Sequence, residues 1–261
     1  MVKPTLDFIE NIAAQAGDIL LALAHSDLQV EHKSRIDLVT KADHDSEQFL
    51  INAIHEAFPD HAIVAEESGS WAGQQDHQWY IDPLDGTLNY AHGVPIYCVS
   101  IGYAYQGRME LGVVYDPTRE EFFSAQRGQG ATLNGQPIQV SQFTQLIDCM
   151  LGTGFSHQTD QQLEDSFATF MHLSKISQSV RRIGSAALGI AYVAAGRMDG
   201  FWEASINQWD IAAGALLVEE AGGVVTDIHG ESDYMSNPPS ILCANPVIHR
   251  RMLDVINALH A

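Results

Sequence analysis

The sequence predicts an α+β fold in which layers of helix alternate with layers of sheet. The first half of the chain carries several short β-like runs that turn residues separate. The second half alternates segments of helical periodicity with single strands. An amphipathic helix precedes both halves, and each sheet must cover its apolar face with such helices.

The first two elements are predicted helices. Residues 4–25 repeat apolar side chains at the spacing of a helix with one buried face, and Pro4 suits its start. The repeating positions are Leu6, Ile9, Ala13, Ala16, Leu20 and Leu23. A second helix is predicted over residues 45–57, ending before Pro59.

Strands dominate the stretch that follows. They are predicted at residues 62–65, 79–81, 97–105, 111–115 and 121–125. Gly107 and the Asp116-Pro117 turn separate the longer runs.

The second half is predicted to alternate. Helices are predicted at 161–173, 185–195, 210–221 and 246–259, and strands at 199–202, 224–227 and 241–244. The sequence has neither an internal repeat nor a flexible linker. We therefore predict one domain over 1–261, with a cleft between halves of about 1–145 and 146–261.

The chain is strongly acidic, and this bears on its partners. It has 33 acidic and 13 basic side chains, a formal net charge of −20. Nucleic-acid binding needs Lys and Arg to replace the counterions of the phosphates, so we expect no direct nucleic-acid binding. Most of the acids are expected to be a solvated surface, and a minority to carry chemistry.

The cysteines and the N-terminus suggest a compartment. Cys98, Cys149 and Cys243 are odd in number and far apart, which disfavours a disulfide framework or a zinc site. The first residues lack the apolar core of a signal peptide, and no apolar run reaches membrane-spanning length. We expect a cytoplasmic protein without membrane contact.

Acidic residues follow the ends of predicted strands. Glu66 and Glu67 follow strand 62–65, Asp82 follows strand 79–81, and Asp85 lies one tight turn later. Asp210 begins a predicted helix after Trp209. Acids at such positions can converge on one cleft, where carboxylates and carbonyls are the ligands that Mg²⁺ prefers. One shared carboxylate can hold two ions at the spacing of two-metal phosphoryl transfer.

The Gly86-Thr87 step adds an anion site to this prediction. If Asp85 caps a short helix, the N–H groups of Gly86 and Thr87 point outward towards a phosphate. The Thr87 hydroxyl can orient a metal-bound water. The sequence shows no nucleophilic Ser or Cys with a paired base, so direct attack by water is favoured over a covalent intermediate.

Each motif alone has an ordinary explanation, and only their combination is specific. Asp-Pro-x-Asp-Gly is commonly a turn, and Trp-Asp is commonly a helix cap. Together and in order, Glu66-Glu67-Ser68, the segment 82–87 (DPLDGT) and the segment 209–214 (WDIAAG) closely resemble the inositol monophosphatase family. The resemblance covers about residues 5–255 and is strongest to bacterial inositol-1-monophosphatase-type proteins.

The resemblance implies a fold and a metal site. The implied fold is a layered αβαβα sandwich, shared with the fructose-1,6-bisphosphatase type, and the first half is its metal and phosphate half. Two or three Mg²⁺ ions per site are implied. Their implied ligands are Glu66, Asp82, the Leu84 carbonyl, Asp85 and Asp210. The implied catalytic residues are Asp43, Glu66 and Thr87, with Asp43 and Thr87 paired to activate water.

It also implies substrate contacts and a state of assembly. The implied substrate-binding residues are Asp85, Gly86, Thr87, Gly184, Ser185, Ala186, Glu203 and Asp210, and Lys33 and Asp37 stand where the family has a mobile loop. The family is lithium-sensitive and commonly homodimeric. A homodimer is therefore expected, although burial in the core explains the apolar helix 185–195 equally well.

The resemblance predicts hydrolysis of myo-inositol 1-phosphate, and two alternatives stay open. One is the same chemistry on 3′-phosphoadenosine 5′-phosphate, fructose 1,6-bisphosphate or histidinol phosphate. The other is a regulatory binding protein on the phosphatase fold. Leu88 departs from the Thr that is more common after Asp-Gly-Thr, which bears on substrate preference and leaves every implied ligand in place.

Overall fold

The computed structural model describes residues 3–24, 31–32, 38–155 and 160–259. Lys33 and Asp37 of the predicted mobile loop lie outside the described residues. The helices are α1 Leu6–Leu23, α2 Lys41–Ala57, α3 Thr87–Ala91, α4 Asp160–Ile176, α5 Ala186–Ala194, α6 Gln208–Glu220 and α7 Pro246–Leu259.

Two short strands, β1 Glu31–His32 and β2 Leu38–Val39, pair with each other, and the next eight form a large sheet. These eight are β3 His61–Ala65, β4 Gly69–Trp71, β5 Gln74–Asp85, β6 Cys98–Tyr105, β7 Arg108–Asp116, β8 Glu121–Gln126, β9 Gly130–Leu133 and β10 Gln136–Pro137. Their order is β10-β9-β8-β7-β6-β5-β3-β4. Among the strand pairs of this sheet that the structure describes, only β3–β5 is parallel.

The second half supplies a smaller, mixed sheet. Its strands are β11 Met150–Thr153, β12 Ser179–Arg181, β13 Gly200–Glu203, β14 Val224–Thr226 and β15 Ile241–Ala244. Their order is β12-β11-β13-β15-β14, with β12, β11 and β13 parallel and the pairs of β15 antiparallel.

The packing arranges these elements in five layers. Helices α1 and α2 cover one face of the large sheet in a core that includes Leu20, Leu50 and Trp79. Helices α5 and α6 contact both sheets and lie between them. Helices α4 and α7 cover the other face of the small sheet, around Leu173 and Met252.

Two glycines of the large sheet allow α6 to approach closely. A Cβ atom on Gly112 would stand 2.8 Å from the Ala213 carbonyl oxygen, and one on Gly102 would stand 3.0 Å from the Ala212 Cβ. A larger side chain at either position would push α6 off the sheet. This close approach brings Asp210, in the first turn of α6, to the sheet that carries Asp82.

Several predicted bounds were wrong, each for a local reason. Helix α2 begins at Lys41 and not at 45, because Thr40 and Asp43 form a capping box. Strand β5 continues through Asp85 and does not stop at 81. The short strands β1, β2, β4, β9, β10, β11 and β12 were not predicted, since few residues leave no periodicity to detect.

Helix α5 is part of the chain's own core. Most of its side chains are buried, and it packs against α6. Its apolar character is thus explained by burial, and it is not the surface of a predicted dimer. Within the described ranges, no helix combines the length and apolarity that crossing a membrane requires.

Candidate active site

Asp43 and Thr87 meet across two elements of the fold. The Thr87 hydroxyl lies 2.9 Å from Asp43 Oδ1 and 3.0 Å from the Leu84 carbonyl oxygen. Asp43 Oδ2 accepts from the Thr40 backbone N–H at 2.8 Å and from its hydroxyl at 2.6 Å. Burial raises the pKa of Asp43, and these hydrogen bonds oppose that shift. The carboxylate is therefore fixed by the helix that carries it.

A β-bulge brings Asp82 and Asp85 into one neighbourhood. Asp82 pairs with Ser100 and Asp85 with Cys98, so three steps along β5 oppose two along β6. Residues three apart on a regular strand point to opposite faces, and the extra residue of a bulge reverses that relation. Asp82 is 1% exposed, and its Oδ1 accepts from the Leu84 N–H at 2.9 Å.

Asp85 caps α5 and not the short helix that follows it. Its Oδ2 accepts from the Ser185 hydroxyl at 2.6 Å and from the Ala187 N–H at 2.7 Å. Gly86 occupies the N-cap position of α3, with φ of 100° and no side-chain cap. The expectation that Asp85 caps this helix was wrong, because the left-handed backbone of Gly86 turns the chain after Asp85. Asp85 instead joins the two halves of the chain.

Asp210 faces this pair from α6. Its Oδ2 accepts from the Asn207 N–H at 3.0 Å and from the Asn207 Nδ2 at 3.3 Å. Burial and then the charge of Asp85 raise the pKa of Asp210 to about 7. Helix α6 begins at Gln208, so Asp210 is its third residue and not its first.

The carboxyl groups are crowded enough to disfavour their own ionisation. Burial and then the charges of Glu66, Asp85 and Asp210 raise the pKa of Asp82 well above its usual range. Several buried carboxylates without a cation cannot all be charged, and a bound divalent ion removes this conflict. With the Leu84 carbonyl they form a set of hard oxygen donors, the set that suits Mg²⁺.

The carboxylate side chains of the cluster do not converge on the position of a single metal ion. Across the described ranges, no three or more His, Cys, Asp and Glu side chains are arranged closely enough to hold an ion as they stand. Mg²⁺ keeps several waters and uses one or two carboxylates together with carbonyl and phosphate oxygens. The donor set therefore fits Mg²⁺ by its chemistry, with the carboxylates held by protein hydrogen bonds in this state.

Glu203 ends β13 with a buried, unsatisfied oxygen. Its side chain is 7% exposed, and Oε2 has no hydrogen-bond partner among the described residues. Burial and then the charges of Asp210 and Asp85 raise the pKa of Glu203 well above its usual range. A buried acceptor without a donor costs about 1–3 kcal/mol, and this oxygen lies directly against Gly154.

Comparison with known proteins identifies the family. The sequence model described as "Inositol monophosphatase family" matches residues 1–260. The chain belongs to the inositol monophosphatase family.

Two relatives within the inositol monophosphatase family carry different kinds of name. A protein of Pseudomonas aeruginosa named "Nus factor SuhB" is 41% identical over 98% of this chain and 96% of the relative. A protein of Synechocystis named "Inositol-1-monophosphatase" is 43% identical over 97% of this chain and 88% of the relative.

A solved structure of the inositol monophosphatase family shares this fold. The inositol monophosphatase of Anabaena superposes with a TM-score of 0.86 at 40% identity, over 97% of this chain and 95% of that one. The predicted layered α+β fold is confirmed.

Three residues around the candidate site were not predicted from the sequence. Asn89 Nδ2 donates to the carbonyls of Ile96 and Ile183, each at 2.8 Å, and so ties the Asp-Gly-Thr segment to the loop before Ser185. The Cys98 thiol lies 3.8 Å from Asp85 Oδ2. Gly154 packs against the Glu203 carboxylate so closely that no Cβ fits there. None stands in a motif, and the contacts of Asn89 with Ile183 and of Gly154 with Glu203 join distant parts of the sequence, so no local signal announces them.

A cavity of about 480 Å³ lies elsewhere, on the other side of the small sheet. Its lining includes Trp202 and Asp227, and none of the carboxylates described above belongs to it. Trp202 and Glu203 are neighbours on β13 and face opposite sides of the sheet. The cavity therefore belongs to the layer of α4 and α7.

Proposed function

We propose that this chain is a Mg²⁺-dependent phosphomonoesterase that hydrolyses myo-inositol 1-phosphate. The observation that carries the proposal is the crowding of Glu66, Asp82, Asp85 and Asp210 beside the Thr87–Asp43 pair. Membership of the inositol monophosphatase family and the name of the Synechocystis relative support it.

Metal ions would be held by the carboxylates of the cluster and one carbonyl. The ligands would be Glu66, Asp82, the Leu84 carbonyl, Asp85 and Asp210. Bound Mg²⁺ would supply an acidified water and neutralise charge on the phosphoryl and leaving oxygens. Losing a shared ligand would remove several kcal/mol of stabilisation from the transition state.

Thr87 and Asp43 would orient the attacking water. Because the Thr87 hydroxyl donates its hydrogen to Asp43, its oxygen lone pairs are free to accept a hydrogen from water. Asp43 is in turn held by Thr40, so the pair has a fixed direction. Water is the nucleophile, and no covalent intermediate forms on the chain.

The substrate would span both halves of the chain. The N–H groups of Gly86 and Thr87 would hold the phosphate. Gly184, Ser185, Ala186, Glu203, Asp85 and Asp210 would surround the polyol. A hydroxyl group is the natural donor for Glu203 Oε2, which supports a polyol over an apolar alcohol.

Phosphate release from a panel tests the proposal. The panel contains myo-inositol 1-phosphate, fructose 1,6-bisphosphate, 3′-phosphoadenosine 5′-phosphate and histidinol phosphate, each with Mg²⁺, without it, and with added Li⁺. The proposal requires Mg²⁺-dependent release that is fastest from the inositol phosphate and inhibited by Li⁺. Faster release of phosphate from another compound of the panel would support the phosphatase reaction and reject myo-inositol 1-phosphate as the preferred substrate.

A regulatory binding role is the second candidate, because the Pseudomonas relative is named "Nus factor SuhB". With a net charge of −20, the chain is a poor direct ligand for nucleic acid, so a protein surface is the expected contact. Such a role would persist in an Asp210→Asn variant that has lost phosphatase activity. Equal capture of a defined partner by the variant and the wild type would support it.

We also propose a homodimer in a reducing, cytoplasmic compartment. Phe167 and Met171, one turn apart on α4, are 46% and 57% exposed, and β12 is an edge strand beside them. Apolar groups exposed beside an open sheet edge are features of an interface. The mass in solution should halve in a Phe167→Glu, Met171→Glu double variant, and a wild-type monomer would reject the dimer.

The three cysteines are buried and free, which suits a reducing compartment.

A further inference from the structure

One face of α2 holds the loops that carry the proposed metal ligands. Asp43, Ser46 and Glu47 stand at positions i, i+3 and i+4 of this helix, so they share one face. Asp43 accepts from Thr87, and the Ser46 hydroxyl donates to the Pro83 carbonyl at 3.2 Å. These two contacts fix the segment from Asp82 to Thr87. The third contact reaches a different loop.

Glu47 fixes the loop that follows β3. Its Oε2 accepts from the Glu67 N–H and its Oε1 from the Ser68 N–H, each at 2.8 Å. The side chain is 3% exposed. Both oxygens are engaged with consecutive backbone donors, so the contact fixes the backbone immediately after Glu66.

We propose that Glu47 is a positioning residue that sets the affinity of this site for Mg²⁺ through Glu66. The inference rests on the proposed function, in which Glu66 is a metal ligand. Glu47 does not touch the metal. It fixes the distance between the Glu66 backbone and the segment that carries Asp82, because α2 holds both at once.

The expected effect follows from the behaviour of residues that orient metal ligands. Loss of such an outer partner commonly costs 10–100-fold in metal affinity or activity. In Glu47→Gln one carboxylate oxygen becomes an NH₂ group facing a backbone N–H, so one of the two bonds is lost while the shape stays. The dissociation constant for Mg²⁺ should therefore rise about 10-fold or more.

The chain contains a matched control for this contact. On α6, Glu220 accepts from the Gly128 N–H at 2.8 Å and from the Gly130 N–H at 2.9 Å. This is the same motif, a helix carboxylate that receives two backbone donors from a loop, with no proposed metal ligand in that loop. A Glu220→Gln variant loses the same kind of bond without a reason to change Mg²⁺ binding.

Titration calorimetry of Mg²⁺ into the full chain, without substrate, is the test. Glu47→Gln should weaken binding about 10-fold or more, and Glu220→Gln should bind like the wild type. Hydrogen exchange should show lost protection at the Glu67 and Ser68 amides in Glu47→Gln only. Equal Mg²⁺ affinity in the two variants would overturn the proposal, as would loss of affinity in both.

Two measurements keep the test decisive. If Glu47→Gln does not fold, Mg²⁺ should slow exchange of the Glu67 and Ser68 amides in the wild type and leave those of Gly128 and Gly130 unchanged. No Mg²⁺ effect on the first pair would overturn the positioning role. The same titration separates this proposal from the proposed function. A wild-type chain that binds no Mg²⁺ would reject both the proposed function and the positioning role of Glu47. A wild-type chain that binds Mg²⁺, with unchanged affinity in Glu47→Gln, would reject only the positioning role.

Discussion

Thr87 carries a hydroxyl whose direction is set by Asp43, and this makes the residue testable by a change of one atom. Thr87→Val keeps the shape and removes the hydroxyl. Positioned proton acceptors contribute about 10²–10⁴-fold to such reactions, so we expect kcat to fall by about 10²-fold or more with Mg²⁺ affinity nearly unchanged. Steady-state kinetics and calorimetry measure the two quantities.

The control for this prediction is Thr87→Ser, which restores the hydroxyl. It should recover most of the activity, because the bond from this position to Asp43 is then available again. A Val variant as active as the wild type would remove Thr87 from the mechanism.

His61 makes stability depend on pH at a site remote from the chemistry. It stacks on His77 at 4.2 Å between ring centroids, and its Nδ1 accepts from Trp79 Nε1 at 3.1 Å. Burial, followed by the charge of His77, lowers the pKa of His61 from 6.5 to about 4. The folded state therefore favours neutral His61. This contribution to stability is fully present above pH 6.5 and is lost as pH falls towards 4.

Urea unfolding of the wild type and His61→Phe at pH 7.5 and 4.5 tests this. Other titrating groups are common to both proteins, so the difference between them reports His61 together with its interaction with His77. The fall in unfolding free energy between the two pH values should be smaller in the variant. A larger fall in the variant, or an equal one, would contradict the assignment.

For single residues, the sequence predicted which residue types form the candidate site and where they stand in the chain. It did not predict which side chains they contact. Glu66, Asp82 and Asp85 stand near strand ends, where short-range pattern could place them. The bonds of Asp85 to Ser185 and Ala187 span about a hundred residues and depend on packing of the two halves. Gly154 and Cys98 likewise acquire their neighbours only in the folded chain.

The turn between β5 and α3 depends on one glycine. Gly86 has φ of 100°, and a Cβ there would stand 2.8 Å from the Ile96 carbonyl oxygen. Gly86→Ala should cost about 1–2 kcal/mol for the left-handed backbone, and more for the contact. Gly93→Ala, with φ of 69° and no atom within 4 Å of its Cβ, should cost the backbone part alone. Urea unfolding at neutral pH measures both, and equal losses would contradict the steric contribution.

At the scale of elements, long periodic segments were predictable and short ones were not. Helix α1 and strands β6 to β8 have enough residues to show their period. The bulge in β5 is made by one extra residue, and the five-residue helix α3 begins at one left-handed glycine. Neither leaves a repeating pattern in the sequence. Strand β4 pairs with β3 across a tight reversal of the chain, and β12 pairs with β11, which is distant in sequence. Both strands are therefore stabilised by their neighbours more than by a pattern of their own.

In the whole molecule, the candidate site draws its residues from four of the five layers. The first half supplies Asp43, Glu66, Asp82 and Asp85 from α2 and the large sheet. The second half supplies Asp210 and Glu203 from α6 and the small sheet. Alternating helices and strands predicted the existence of these layers. Their order comes from burial, since α5 and α6 are apolar on nearly all sides and must lie between two sheets.

We propose that this carboxylate cluster holds Mg²⁺ for hydrolysis of a phosphate ester. The most direct test is Mg²⁺-dependent phosphate release from myo-inositol 1-phosphate by the wild type and Asp210→Asn, each shown to be folded by its melting temperature. The Asn amide oxygen can still accept from the Asn207 N–H, so α6 should begin as before. We predict a fall in kcat/KM of about 10³-fold or more, as loss of several kcal/mol requires. A folded Asp210→Asn variant with near wild-type, Mg²⁺-dependent activity would contradict the claim.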